Sequence, residues 1–237
     1  MLVYGSISVN TITYVTVAIT TGTVLLCYAL AVGLGHVPAW LPLISDCAVE
    51  APEKYPFRIG VIFGAVALFA NVVLVYWAFP SFSYRRTSTA FGLAASVAFA
   101  IVGAINEKEN DVAHSTSAVC FFVFYDIYMT IIVLNSPRDQ RITRASLINK
   151  RIFVLIGNVL LITAILFAVF GWERHLTEIA MCEWCGFLAI ESFNLTFAAD
   201  LADLKLEELS NDGMSACVGM FTHSLTPPRY IRCQTFE

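Results

Sequence analysis

The chain has 237 residues, of which 58% are hydrophobic and 14% charged, with a mean hydropathy of +0.72. A soluble domain carries about 25% charged residues, and a chain this short cannot hide so much apolar surface in one aqueous core. A soluble fold is thereby excluded, and the net charge of -4 offers no basic surface for nucleic acid.

No charged side chain precedes Asp46. The apolar run over 12–34 lacks the basic flank and short length of a cleaved secretory signal. It is long enough to cross a bilayer, which takes about 20 residues, and is expected to be a retained helix. Five further runs follow, over 57–79, 88–105, 115–134, 152–171 and 179–199. None alternates apolar and polar residues as a barrel strand does, and a helix satisfies its own backbone in lipid. The expected fold class is therefore all-α, a polytopic bundle of six transmembrane helices over residues 1–204. Residues 205–237, mixed in Ser, Asn, Gly and Pro without periodicity, predict a flexible tail. In the second run, Gly60 and Gly64 form a GxxxG pair, which permits close helix packing.

Basic residues set the expected orientation. Arg85 and Arg86 separate runs two and three; Arg138, Arg141, Arg144, Lys150 and Arg151 separate runs four and five. Those loops and both termini are expected on the cytosolic side, where loops and tail are available to protein partners. The other loops hold Asp46, Glu50, Glu53, Glu107, Glu109, Asp111, Glu173 and Glu178 and are expected on the exoplasmic side.

Two acids fall inside apolar runs, Asp126 in the fourth and Glu191 in the sixth. A charge at mid-membrane costs about 2.5–3.5 kcal/mol on insertion scales, so each is expected to face the bundle interior, find a partner or stay protonated. Tyr125, Tyr128, Asn158 and Asn194 are candidate partners, and a proton- or ligand-linked intramembrane site built on Asp126, Glu191 and Asn194 is the functional alternative. His175, Glu178, Cys182 and Cys185 share a helical face, but ten residues of helix rise about 15 Å, too far for one ion. No metal or cofactor is expected. Cys47 and Cys182 both fall on the exoplasmic side, where a disulfide between them is possible and free thiols are the alternative. The sequence contains no H-E-x-x-H, no G-x-S-x-G and no phosphate-cradling loop, so spacing alone identifies no enzyme and no catalytic residue.

The segment Gly35-His36-Val37-Pro38-Ala39-Trp40-Leu41-Pro42-Leu43-Ile44-Ser45-Asp46, followed by Ala51-Pro52-Glu53-Lys54, resembles the signature of the DRAM (damage-regulated autophagy modulator) family. Cys182-Glu183-Trp184 and His114 are similar to two further hallmarks of that family. It belongs to a superfamily with the FGF-receptor-activating and post-GPI-attachment lipid-remodelling proteins. The chain departs from the pattern at Cys47-Ala48 after Ser-Asp, and at Ser117 three residues after the histidine. The resemblance implies a six-helix protein of the lysosome or a related endomembrane that promotes autophagy, acting through protein partners or membrane lipids. For the GPI branch it implies lipid remodelling in the Golgi or endoplasmic reticulum. A channel or proton-coupled transporter built on the intramembrane acids is a further alternative. His36, Pro42, Ser45, Asp46, Pro52, Glu53, His114, Glu183 and Trp184 are expected to meet at the exoplasmic mouth of the bundle and form one pocket.

Overall fold

The computed structural model describes residues 8–136, 139, 141–171 and 174–204; the tail over 205–237, Arg138 and Glu173 lie outside them. Six helices run up and down: α1 (Asn10–Gly33), α2 (Lys54–Ala78), α3 (Arg85–Ala104), α4 (Glu107–Asn135), α5 (Arg144–Gly171) and α6 (Leu176–Asp200). At 1.5 Å per residue, even the 20-residue α3 spans about 30 Å, the thickness of a bilayer core. Five of the helices are long and apolar enough to cross a membrane. The sixth, α6, has the length but carries Glu178, Glu183, Glu191 and Asp200, and it is buried along most of its course. Among the described residues the regular structure is helical throughout.

Val9 donates its backbone amide to the Leu204 carbonyl at 3.1 Å, so the two ends of the described chain meet at one end of the bundle. The first loop, carrying a short 3-10 turn at Asp46–Ala48, lies at the other end. It is joined there by the start of α2, the α3–α4 connection and the start of α6.

Local sequence explains the helix positions. Asn106 caps α4 with a reciprocal box: its side chain accepts from the Glu109 amide at 3.0 Å, and its own amide reaches Glu109 Oε2 at 3.4 Å. This box satisfies two of the orphan donors of a helix start. It begins α4 eight residues before the apolar run does. The buried face of α1 is Thr13, Thr16, Thr20, Val24, Cys27 and Ala31, small side chains that let α2 approach closely. A Cβ on Gly60 would stand 2.8 Å from Thr23 Cβ, and one on Gly64 would stand 2.6 Å from Thr20 Cγ2. The GxxxG pair is therefore a real packing seam.

α5 begins at Arg144, earlier than its apolar run, and this corrects one expectation. Lys150 belongs not to a loop but to α5, where it is fully buried with Nζ 2.6 Å from Asp200 Oδ2, 3.0 Å from Ser146 Oγ and 2.5 Å from Thr196 Oγ1. Its three donors are all used. The buried positions of α5 (Ser146, Lys150, Val154 and Gly157) all lie in its first half. Leu155, Ile162, Val169 and Phe170 are exposed and suited to lipid.

Candidate functional site

The second half of α5 has no fully buried residue, and a groove lies between it, α4 and α6. The groove encloses about 200 Å³. Its shaft is apolar, with Ala118, Phe122, Leu160, Leu161 and Ala164 among its walls. Along α4, from His114 to Met129, it runs roughly 22 Å. Val119 (55% exposed) and Ile165 (45% exposed) line it and also belong to the outer surface, so it opens sideways between α4 and α5.

The mouth of the groove, at the first-loop end, is polar. His114 is 2% exposed, and its Nδ1 lies 2.6 Å from the Ile105 carbonyl oxygen. A carbonyl only accepts, so Nδ1 carries a hydrogen, and in the neutral ring Nε2 is then the free acceptor. That nitrogen has no hydrogen-bond partner among the described residues, and Glu107 Oε1 stands 3.8 Å from it. Across the mouth, Glu183 Oε2 accepts the Ile44 backbone amide at 2.8 Å. Glu107 shares a hydrogen bond with Asp46, whose carboxyl is pushed up from its ordinary 3.8 to about 6, first by burial and then by the neighbouring Glu107 charge. Two carboxyls this close cannot both ionise freely. At the far end Asp126 lines the groove with Oδ1 unpartnered among the described residues, tight against Gly157, where a Cβ would come within 2.9 Å.

The expected signature residues thus gather at one end of the bundle but divide into two sets. Ser45, His114 and Glu183 line the groove, and Asp46 joins them through Glu107. The others hold the first loop in place. Trp184 Nε1 donates to the Pro42 carbonyl at 2.8 Å and its ring meets Tyr28 edge-on. His36 Nδ1 lies 2.5 Å from Oε1 of the fully buried Glu53, and the Ala51–Pro52 bond between them is cis.

The intramembrane trio also separates. Glu191 faces α1 and accepts from Thr20 Oγ1 at 2.8 Å, and Asn194 accepts from the Tyr125 hydroxyl. Asp126 alone belongs to the groove. Cys47 and Cys182 are free thiols in this structure, the alternative left open beside a disulfide. Cys47 donates to the Leu43 carbonyl at 3.4 Å, inside its own loop, while Cys182 lies in the groove wall. The thiol of Cys47 is pushed up to about 12, mainly by burial, which keeps it inert. His175 pairs with Glu178 at 3.7 Å and Cys185 is exposed, so that segment does not converge on one point.

Sequence reasoning missed Glu107, Ser115 and the α5 wall. Glu107 and His114 are separated by a break in α4 at Asn110, whose backbone is extended (φ -161°, ψ 93°), so helical spacing alone gave no signal that they meet.

The family model of the Frag1/DRAM/Sfk1/Cwh43P N-terminal domain matches residues 8–204, the entire described bundle. The chain belongs to this family. Within the family it is similar to DNA damage-regulated autophagy modulator protein 1 of Xenopus laevis, with 24% identity over 205 residues, covering 76% of this chain and 85% of the relative. No solved structure matches the chain. The family match agrees with the first-loop, His114 and Cys182-Glu183-Trp184 signatures, and the chain is a DRAM-like multi-pass membrane protein.

Proposed function

We propose that this protein modulates autophagy at the membrane of the lysosome or a related endomembrane, by binding a membrane lipid in the α4–α5–α6 groove. The groove carries this reading: an apolar shaft of acyl-chain dimensions ends at a polar mouth at one membrane face, as an amphiphile requires. The autophagy assignment draws on the relative's name and the shared family. The first-loop end is taken as luminal and the Arg85/Arg86 end as cytosolic, where the loops and the 205–237 tail would meet protein partners.

A second reading is favoured by one observation. The unpartnered His114 Nε2, flanked by carboxyl groups, sits at the junction of mouth and shaft, where an ester of a bound lipid would lie. His114 and Glu183 would then serve as general base and acid in remodelling the lipid of GPI anchors in the Golgi or endoplasmic reticulum. Deleting the gene and rescuing with Ala164→Trp, which fills the shaft, or with His114→Ala/Glu183→Gln separates the two. Loss of autophagic flux alone supports the first reading; loss of detergent-resistant GPI-protein retention alone supports the second. Full rescue of both by well-expressed Ala164→Trp protein overturns the lipid groove.

A further inference from the structure

We infer that the groove selects amphiphiles whose headgroup donates hydrogen bonds, a hydroxyl or an amine, over those ending in a phosphate. The inference rests on the lipid-groove reading above and adds the class of headgroup. Among the polar atoms of the mouth, acceptors predominate. In the neutral ring His114 Nε2 offers a buried lone pair because Nδ1 is committed to Ile105, and no described residue bonds to it. The carboxyl groups of Glu107 and Glu183 also line the groove, Glu107 Oε1 standing 3.8 Å from that nitrogen. The hydroxyls of Ser45 and Ser115 complete the rim, and Ser115 donates its own hydrogen to Asp111.

Among the described residues, no Lys or Arg lines the groove. The described cations at this end are engaged elsewhere or exposed: Arg58 pairs with Glu109, Lys108 with Glu50, Lys54 lies over the Tyr55 ring and Arg174 is exposed. A phosphate monoester, carrying about -1.5 to -2 charges near neutrality, would meet carboxyl groups and an imidazole with no Lys or Arg counter-charge among the described lining residues. A hydroxyl or ammonium group would fill the vacant acceptor on His114. At the far end of the apolar shaft, Asp126 Oδ1 is a second buried and unpartnered oxygen among the described residues.

The test uses the full chain in nanodiscs with three photoactivatable probes sharing one acyl chain: a monoacylglycerol, a long-chain primary amine and a lysophosphatidic acid. Crosslinking to α4 and α5 peptides, blocked by Ala164→Trp, defines groove occupancy. The hydroxyl or the amine probe should label at least about tenfold more than the phosphate probe, as expected for one unscreened like-charge encounter at a partly buried site. Labelling by the amine that falls with Glu107→Gln and Glu183→Gln would identify an ammonium headgroup. Hydroxyl labelling that falls with His114→Gln but not with those changes would identify a neutral one. Ser115→Lys, at an exposed rim position, should shift preference toward the phosphate probe and serves if the His114 variant does not fold. Phosphate labelling equal to or above the other two overturns the headgroup inference and leaves the groove reading standing. Labelling of the groove by none of the three overturns both.

Discussion

Lys150 Nζ lies 2.6 Å from Asp200 Oδ2 with neither side chain exposed, an ion pair that ties the start of α5 to the end of α6. The hydroxyls of Ser146 and Thr196 use the remaining lysine donors, and the Phe197 ring lies 4.4 Å beneath the ammonium. Removing one partner leaves a buried charge without compensation, which costs about 3–5 kcal/mol. Lys150→Met and Asp200→Leu should each lower the melting temperature in detergent strongly. The double variant should lose far less than the sum, because apolar replacement of both partners is often neutral. Additive losses in that double-mutant cycle would show that the pair is not coupled.

The α1–α2 seam makes a second prediction. Gly60→Leu should destabilise the protein by about 1–3 kcal/mol through overpacking, since Thr23 already occupies the space. A methyl group added at Gly22 would meet nothing within 4 Å, so Gly22→Ala should be neutral or mildly stabilising. Equal thermal stability of the two variants would mean that the helices do not touch there.

The mouth should respond to pH with a defined sign. Asp46 is raised to about 6 from 3.8, so between those values the folded protein binds more protons than the unfolded chain. Its stabilising contribution is complete at acidic pH and is lost as pH rises through about 6. Protease cleavage of the first loop should therefore increase from pH 4.5 to 7.5, and Asp46→Asn should flatten that rise. A wild-type loop cut equally at both pH values would remove the basis for it.

Topology follows from basic-residue placement and the shared position of the chain ends. In a background lacking all seven cysteines, Thr87→Cys should be labelled by an impermeant reagent only from the cytosol, and Asp111→Cys only from the opposite side. Both positions are exposed. Labelling of both from one side would break the up-down order of α3 and α4.

The intramembrane acids should differ in how they tolerate charge. Asp126→Asn and Glu191→Gln keep shape and hydrogen bonding and should express near wild-type levels. Asp126→Lys introduces a cation against Gly157 and the apolar shaft and should reduce the folded yield sharply. Size-exclusion profiles of fluorescent fusions would reveal the difference, and a monodisperse Asp126→Lys protein would contradict it.

The six helices were legible because lipid demands apolar runs of a set length, and five of them qualify as membrane spans. The helix starts were less so, because the first turns of α4 and α5 are polar and project past those runs. The Asn106–Glu109 box was present in the sequence as a start signal for α4. Lys150 was misplaced for the same reason, since a charge beside a charge cluster reads as loop until a distant partner at Asp200 is known. The signature residues were legible as a group at one end but not in their division of labour. Glu183 and Trp184 are adjacent, yet the roughly 100° step between helix neighbours sends one into the groove and the other to Pro42 and Tyr28. The wall supplied by α5 had no signal at all, since Leu160 and Ala164 look like any lipid-facing residues.

If the groove takes a lipid as proposed, the sideways opening between α4 and α5 would alter what concentration means for this protein. A lipid entering past Val119 and Ile165 would come from the leaflet without crossing water. Occupancy then follows the mole fraction of the ligand among its neighbours in two dimensions, and a rare lipid competes with every abundant one at the same doorway. Discrimination must come from the few polar atoms at the mouth, because the shaft gives every acyl chain the same welcome.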